Sequence, residues 1–123
     1  MPNLQEIFIA IKKELAAYQP PFQPKNDTER YFDLWSFKDL VIEGRKRKEV
    51  YFGGVVTYKD YVGFYFMPVY AEPEMKSIFK PELLKLLKGK SCFHVKKLDE
   101  DLTAQIRQAL ADGYQCYKDR GWA

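Results

Sequence analysis

One uncharged stretch constrains the fold of this chain more than any other. It runs from Tyr61 to Tyr70, reads Y-V-G-F-Y-F-M-P-V-Y and contains five aromatic rings. Aromatic and β-branched residues at this density favour a β-strand, in which alternate side chains point to opposite faces. Both faces of this strand are apolar, one with Val62, Phe64 and Phe66, the other with Tyr61, Gly63 and Tyr65. The sequence therefore predicts a strand with a core face and a second face that contacts something else.

Length and composition indicate one folded domain over residues 1–123. Hydrophobic residues make up 46% of the 123 residues and aromatic residues 16%, which suffices for one core and not for two. The formal net charge is +3, from 20 basic and 17 acidic side chains. Because this balance gives little attraction to a polyanion, we expect no nucleic-acid partner.

Several absences in the sequence point to a cytoplasmic protein. No apolar run reaches the roughly 18 residues of a membrane span, so no membrane partner is expected. The N-terminal residues lack the basic region and the cleavage site of a secretory signal. Cys92 and Cys116 are then expected to be reduced thiols, since disulfides are rare in that compartment.

The order of periodic segments predicts an α+β fold. Apolar residues at helical spacing follow Asn3, which forms a capping pair with Glu6. Three strands joined by hairpins come next, then short helical turns, a fourth strand at S-C-F-H-V-K-K, and a last helix that begins near Asp99. We predict a two-layer sandwich of order α-β-β-β-α-β-α, with helices on one face of an antiparallel four- to five-stranded sheet.

Strict alternation sorts the strand residues into two sets, although a bulge would flip part of either set. The predicted core set is aliphatic and phenyl: Phe32, Leu34, Val50, Phe52, Val56, Val62, Phe64, Phe66, Phe93 and Val95. The second set carries polar tips and glycines: Asp33, Trp35, Tyr51, Gly53, Val55, Thr57, Tyr61, Gly63, Tyr65, Cys92 and His94.

The second set predicts a binding surface. Glycine within a strand often marks a close approach by a ligand, so Gly53 and Gly63 would form the floor of a trough with tyrosine walls. The candidate ligand-binding residues are Asp33, Trp35, Tyr51, Tyr61 and Tyr65. The alternative is that a loop of the same chain, or a second subunit, covers this face.

Other chemistries receive less support from the sequence. Cys92 and His94 share a strand face and are the candidate metal ligands, with Asp33, Glu72 or Glu74 as a third, but a structural histidine is the alternative. The basic run Arg45 to Lys48 is interpreted as a solvated hairpin tip. No nucleophile–base pair, carboxylate dyad or glycine-rich phosphate loop is present, so we do not expect an enzyme.

Three segments resemble the YdhG-like family of small bacterial proteins. They read K-D-Y-V-G-F-Y-F-M-P-V-Y, L-L-K-L-L-K-G-K-S-C-F-H-V-K-K-L-D-E-D-L and Y-K-D-R-G-W. The resemblance covers about residues 31–122 and implies a compact α+β fold. Some members are described as frataxin-like intracellular iron chaperones, which implies iron as a possible ligand. Frataxin-like proteins bind iron through an acidic first helix, whereas this helix offers only Glu6 and Glu14.

We therefore expect a small cytoplasmic binding protein that uses its aromatic sheet face for a small ligand or a partner. The resemblance implies the more specific role of an intracellular iron-binding accessory protein. The alternative is a homodimeric interaction module with an aromatic sheet face and no metal role.

Overall fold

The computed structural model describes residues 3–42, 44–71 and 73–123. It contains four α-helices, one 3-10 helix and seven strands within those ranges. Their bounds are α1 Leu4–Ala16, β1 Tyr31–Ser36, β2 Leu40–Ile42, β3 Arg45–Arg47, β4 Val50–Thr57, β5 Val62–Phe66, α2 Pro68–Ala71, the 3-10 helix Pro73–Ile78, α3 Pro81–Leu84, β6 Leu87–Lys88, β7 Cys92–Val95 and α4 Glu100–Asp119.

The architecture is α+β, and the predicted order of elements is confirmed. Five strands form one antiparallel sheet in the order β1-β4-β5-β7-β6. The short strands β2 and β3 form a separate two-stranded hairpin that extends from β1 and β4. The sequence predicted a solvated hairpin tip at Arg45 to Lys48 but neither of these two strands nor β6, because strands of two or three residues carry no alternation to detect.

The two long helices pack on one face of the sheet. Helix α1 contacts β4, β5 and α4, and its side chains Ile7, Phe8, Ile11 and Leu15 are buried. Helix α4 buries a stripe that includes Leu102, Ile106, Leu110 and Tyr117, as its spacing predicts. The predicted caps are also present, since Asn3 accepts from Glu6 N at 2.8 Å and Asp99 accepts from Leu102 N at 2.7 Å.

The core lies between these helices and the sheet. Strand residues that point toward the helices include Phe32, Leu34, Phe64, Phe66 and Phe93, which are at most 1% exposed. Phe22, in the segment after α1, joins them and stacks on Phe52 with 4.3 Å between ring centroids. The proline-rich segment therefore contributes to the core side of the sheet.

A bulge in β4 corrects part of the predicted face assignment. Leu34 pairs with Gly53 but Trp35 pairs with Tyr51, so Phe52 is an extra residue in β4. Phe52 and Gly53 both face the core, and the alternation beyond them is reversed. Val55 is consequently buried in the core, whereas Gly54 and Val56 replace Gly53 and Val55 on the second face.

Two further expectations from the sequence concern the two cysteines and a membrane-spanning helix. Cys92 and Cys116 are present as thiols and not as a disulfide. Within the three described ranges, no helix combines the length and the apolarity that crossing a bilayer requires.

Candidate functional site

In the described part of the chain, seven rings lie on the sheet face that points away from the helices. Tyr31 of β1 is one of them and is 39% exposed, and we call the other six the aromatic face. Four of the five strands, β1, β4, β5 and β7, supply one of these six rings each, because alternate residues of a strand share a face. Two more rings flank the turn between β4 and β5. The six residues are Trp35, Tyr51, Tyr65, His94, Tyr58 and Tyr61.

The rings contact one another across the strands. Trp35 stacks on Tyr51 with 4.8 Å between centroids. Tyr61 stacks on His94 at 4.0 Å and contacts Tyr58 at 4.9 Å. The hydroxyl groups of Tyr58 and Tyr65 share a hydrogen bond. Contacts between aromatic rings at these distances stabilise a fixed arrangement, so the aromatic face is an ordered layer.

Two glycines lie beneath the rings. A Cβ atom at Gly54 would collide with the Tyr51 hydroxyl and would lie 2.9 Å from the Phe32 carbonyl oxygen. A Cβ atom at Gly63 would lie 2.9 Å from Cε2 of Tyr58. The predicted glycine floor is therefore present, with Gly54 in place of Gly53. The chain's own tyrosines occupy the space above it, so the surface is a flat layer of rings.

All six rings are partly exposed. Their exposure falls between the buried and the fully exposed classes, which is typical of side chains with an apolar body and a polar tip. Burial raises the pKa of the Tyr51 and Tyr65 phenols above the ordinary value. These hydroxyl groups therefore stay protonated and can donate hydrogen bonds over the physiological range.

Asp33, a candidate ligand-binding residue, holds the segment that precedes β1. Its Oδ1 accepts from the backbone N–H groups of Lys25 at 2.7 Å and Asn26 at 2.9 Å, and its Oδ2 accepts from Asn26 Nδ2 at 2.8 Å. Asp33 is only 1% exposed. Because its carboxylate is already saturated by donors of the same chain, we assign it a structural role.

Charged side chains border the aromatic face at both ends. Lys25 Nζ lies 3.9 Å from the centroid of the Trp35 ring and forms an ion pair with Glu49. At the opposite end, the turn between β4 and β5 exposes Lys59 and Asp60. Each end therefore presents one cation and one anion.

The structure does not assemble the predicted metal ligands into one group. Cys92 and His94 share a face of β7, but Asp33 lies on β1, three strands away. At a strand spacing of about 4.8 Å, that separation is roughly 14 Å. Glu72 lies outside the described residues, and Glu74 is exposed on the 3-10 helix. Within the described ranges, no group of three His, Cys, Asp or Glu side chains could hold a metal ion.

The Cys92 and His94 side chains instead belong to the ring layer. The imidazole of His94 stacks on Tyr61, and the Cys92 residue pairs with Tyr65 across the strands. Burial raises the pKa of the Cys92 thiol. A raised pKa disfavours the thiolate, which is the form that binds metals and attacks electrophiles.

Sequence reasoning missed one member of the aromatic face. Tyr58 ends the predicted strand V-Y-F-G-G-V-V-T-Y, in which strict alternation would place it on the core side with Phe52, and the bulge in β4 reverses that alternation. The available signal was the spacing Y-K-D-Y, which places Tyr58 and Tyr61 on either side of a two-residue turn. Side chains that flank a tight turn are neighbours across the hairpin.

Comparison with known proteins identifies no matching family model, no matching curated protein and no matching solved structure. The resemblance to the YdhG-like family therefore stays a prediction. The function is therefore inferred from the geometry of the aromatic face.

Proposed function

We propose that this protein is an interaction module that forms a homodimer through the aromatic face. The observation that carries the proposal is the layer of six partly exposed rings, in two contacting groups, on the sheet face opposite the helices. Tyrosine and tryptophan are enriched at protein interfaces, because each combines a large apolar area with a hydrogen-bonding tip.

The flatness of the face favours a macromolecular partner over a small ligand. Small molecules bind in concave sites that bury most of their surface. Here Tyr51 and Tyr58 occupy the space above Gly54 and Gly63. A second flat sheet can pack on such a surface with its side chains interdigitated at about 10 Å between sheets.

The distribution of charge favours a second copy of this chain. A two-fold interface brings the same surface of both subunits together, so it must be complementary to itself. The aromatic face meets this requirement, because Lys25 and Glu49 border one end and Lys59 and Asp60 the other. A two-fold axis through the rings can then pair each cation with an anion of the other subunit.

The size of the face implies a weak dimer. Five strands at about 4.8 Å and five residues at about 3.4 Å give a footprint of roughly 400 Å² per subunit. Stable interfaces bury about 800 Å² on each partner. We therefore expect association in the micromolar to millimolar range of protein concentration.

Sedimentation equilibrium across that range tests the proposal. We expect the wild-type protein to pass from monomer to dimer, and Tyr61→Arg to remain monomeric because it places a charge among the rings. The matched control is Ile9→Arg, since Ile9 is 56% exposed on α1, in the other layer. We expect this variant to dimerise like the wild type, with both variants retaining the native circular dichroism spectrum. A wild-type protein that stays monomeric, or equal loss of dimer in both variants, would contradict the proposal.

The iron-accessory role rests on the resemblance alone and stays a prediction. Its test is a ferrous titration of the full chain under argon, followed by calorimetry, with His94→Ala and Cys92→Ser as variants. If iron is cargo of this protein, heat is released and both variants reduce it. An absence of heat would remove the iron role and leave the dimer unaffected.

A further inference from the structure

A groove of about 690 Å³ opens at the edge of the sheet, between α3, the β6–β7 hairpin and the first turn of α4. Strand β6 has two residues and β7 has four, so β6 pairs with only part of β7 at this edge of the sheet. The volume falls within the roughly 300–1,000 Å³ that is typical of sites for small molecules. The groove lies apart from the flat centre of the aromatic face.

Leucine side chains form the apolar wall of this groove. Leu102 of α4 is 9% exposed, and Leu86 and Leu98 are partly buried against the core. These side chains pack in or against the core, and each of them also lines the groove. A hydrocarbon body placed on them would remove apolar surface from water, which favours binding.

Four lysines surround the leucines: Lys85, Lys88, Lys96 and Lys97. All four are exposed, and within the described ranges none of them forms an ion pair. The groove therefore offers several ammonium groups that are free to bind an anion.

Three acidic residues also line the groove, and two of them are engaged within the chain. Asp99 Oδ1 accepts from Leu102 N at 2.7 Å as the cap of α4, and Asp101 Oδ2 accepts from Gln105 Nε2 at 3.2 Å. Glu82 of α3 is exposed. The four ammonium groups outnumber the three carboxylates by one, so the charged side chains that line the groove sum to +1.

We propose that this lysine groove binds a small amphiphilic carboxylate, with the hydrocarbon on Leu86, Leu98 and Leu102 and the carboxylate among the lysines. The inference is independent of the proposed dimer, because the two surfaces use different residues except at His94. The His94 side chain lines the groove and also stacks on Tyr61. Its ring resonances therefore respond to occupancy and to dimerisation, whereas the signals of Leu98 and Leu102 report on occupancy alone.

The test is a titration of the full chain with decanoate and, separately, with decanol, followed by nuclear magnetic resonance. We expect decanoate to shift the signals of Leu98, Leu102 and His94. Decanol, which has the same chain without the charge, should bind about tenfold more weakly, since it forms no ammonium–carboxylate contact.

Two double variants with the same change of net charge complete the design. Lys96→Gln with Lys97→Gln should weaken decanoate binding by about tenfold. Lys46→Gln with Lys48→Gln changes the distant β2–β3 hairpin region and should leave it within about twofold. The proposal is overturned if decanoate shifts no groove signal, if decanol binds as tightly as decanoate, or if the two double variants weaken binding equally.

Discussion

At the scale of single residues, Asp33 joins β1 to the connector at Lys25 and Asn26, beside the aromatic face. Its carboxylate accepts three hydrogen bonds from Lys25 and Asn26. Burial raises the pKa of Asp33, but the hydrogen bonds from Asn26 and Lys25 outweigh burial and leave the pKa below the ordinary value. The ionised form is therefore the one that stabilises the fold.

This lowered pKa makes a prediction about stability in acid. The carboxylate stabilises the folded state above the unfolded pKa of about 3.9, and the contribution is lost as the pH falls through the folded pKa. Asp33→Asn should lower the free energy of unfolding by about 1–3 kcal/mol at neutral pH, because an amide nitrogen then faces N–H donors. Urea denaturation over a pH series measures both proteins. We expect the difference between them to shrink below pH about 4, and a constant difference would contradict this role.

Residue patterns predicted much of the aromatic face and not the role of Asp33. Alternation placed Trp35, Tyr51, Tyr61 and Tyr65 on one face, as the structure shows. The partners of Asp33 lie seven and eight residues earlier, in a connector without periodicity. Alternation gives the direction of a side chain, and it does not tell which loop returns to cover it.

At the scale of elements, the bulge at Phe52 determines which residues of β4 reach each face. It places Phe52 and Gly53 together on the core face, so that Tyr51 shares the other face with Gly54 and Val56. Tyr117 of α4 anchors this point, since its hydroxyl donates to the Tyr51 carbonyl oxygen at 2.6 Å and its ring contacts Phe52 at 5.3 Å. The same helix thereby supports the sheet from the side opposite the rings.

Removing this hydroxyl should destabilise the fold without changing its shape. Tyr117→Phe leaves the Tyr51 carbonyl oxygen without its partner, and we expect a loss of about 1–3 kcal/mol in the free energy of unfolding. The control is Tyr114→Phe on the same helix, for whose hydroxyl the described structure records no hydrogen bond; we expect a change within about 0.5 kcal/mol. Urea denaturation measures both, and equal effects would contradict the anchor.

The bulge itself could not be predicted from V-Y-F-G-G-V-V-T. Two adjacent glycines remove the side chains that would reveal where the alternation reverses, and Val55 and Val56 fit either face. The long helices were predictable, because their apolar stripes extend over three or more turns and their caps have recognisable sequences. Short elements such as β6 are held by tertiary pairing with β7, which is not visible locally.

At the scale of the whole molecule, the helices cover one side of the sheet and leave the ring layer on the other. The segment after α1 follows the outer edge of β1, where Gln23 pairs with Trp35, and Phe22 enters the core. Further along this segment, Lys25 and Asn26 bind Asp33 on the ring side of β1, and Lys25 Nζ lies over the Trp35 ring. The lysine groove lies near the opposite edge of the sheet, beside β6. The proposed dimer interface and the proposed anion site therefore lie on different parts of the sheet and share only His94 among the residues named for each.

The most direct test of the aromatic interface is a search for contacts between two copies. An equimolar mixture of isotope-labelled and unlabelled protein at millimolar concentration gives nuclear Overhauser effects that arise only between subunits. We expect cross-peaks that connect the rings of Trp35, Tyr51 and Tyr61 in one copy with those in the other. Cross-peaks only from the helical side, or none at that concentration, would contradict the account.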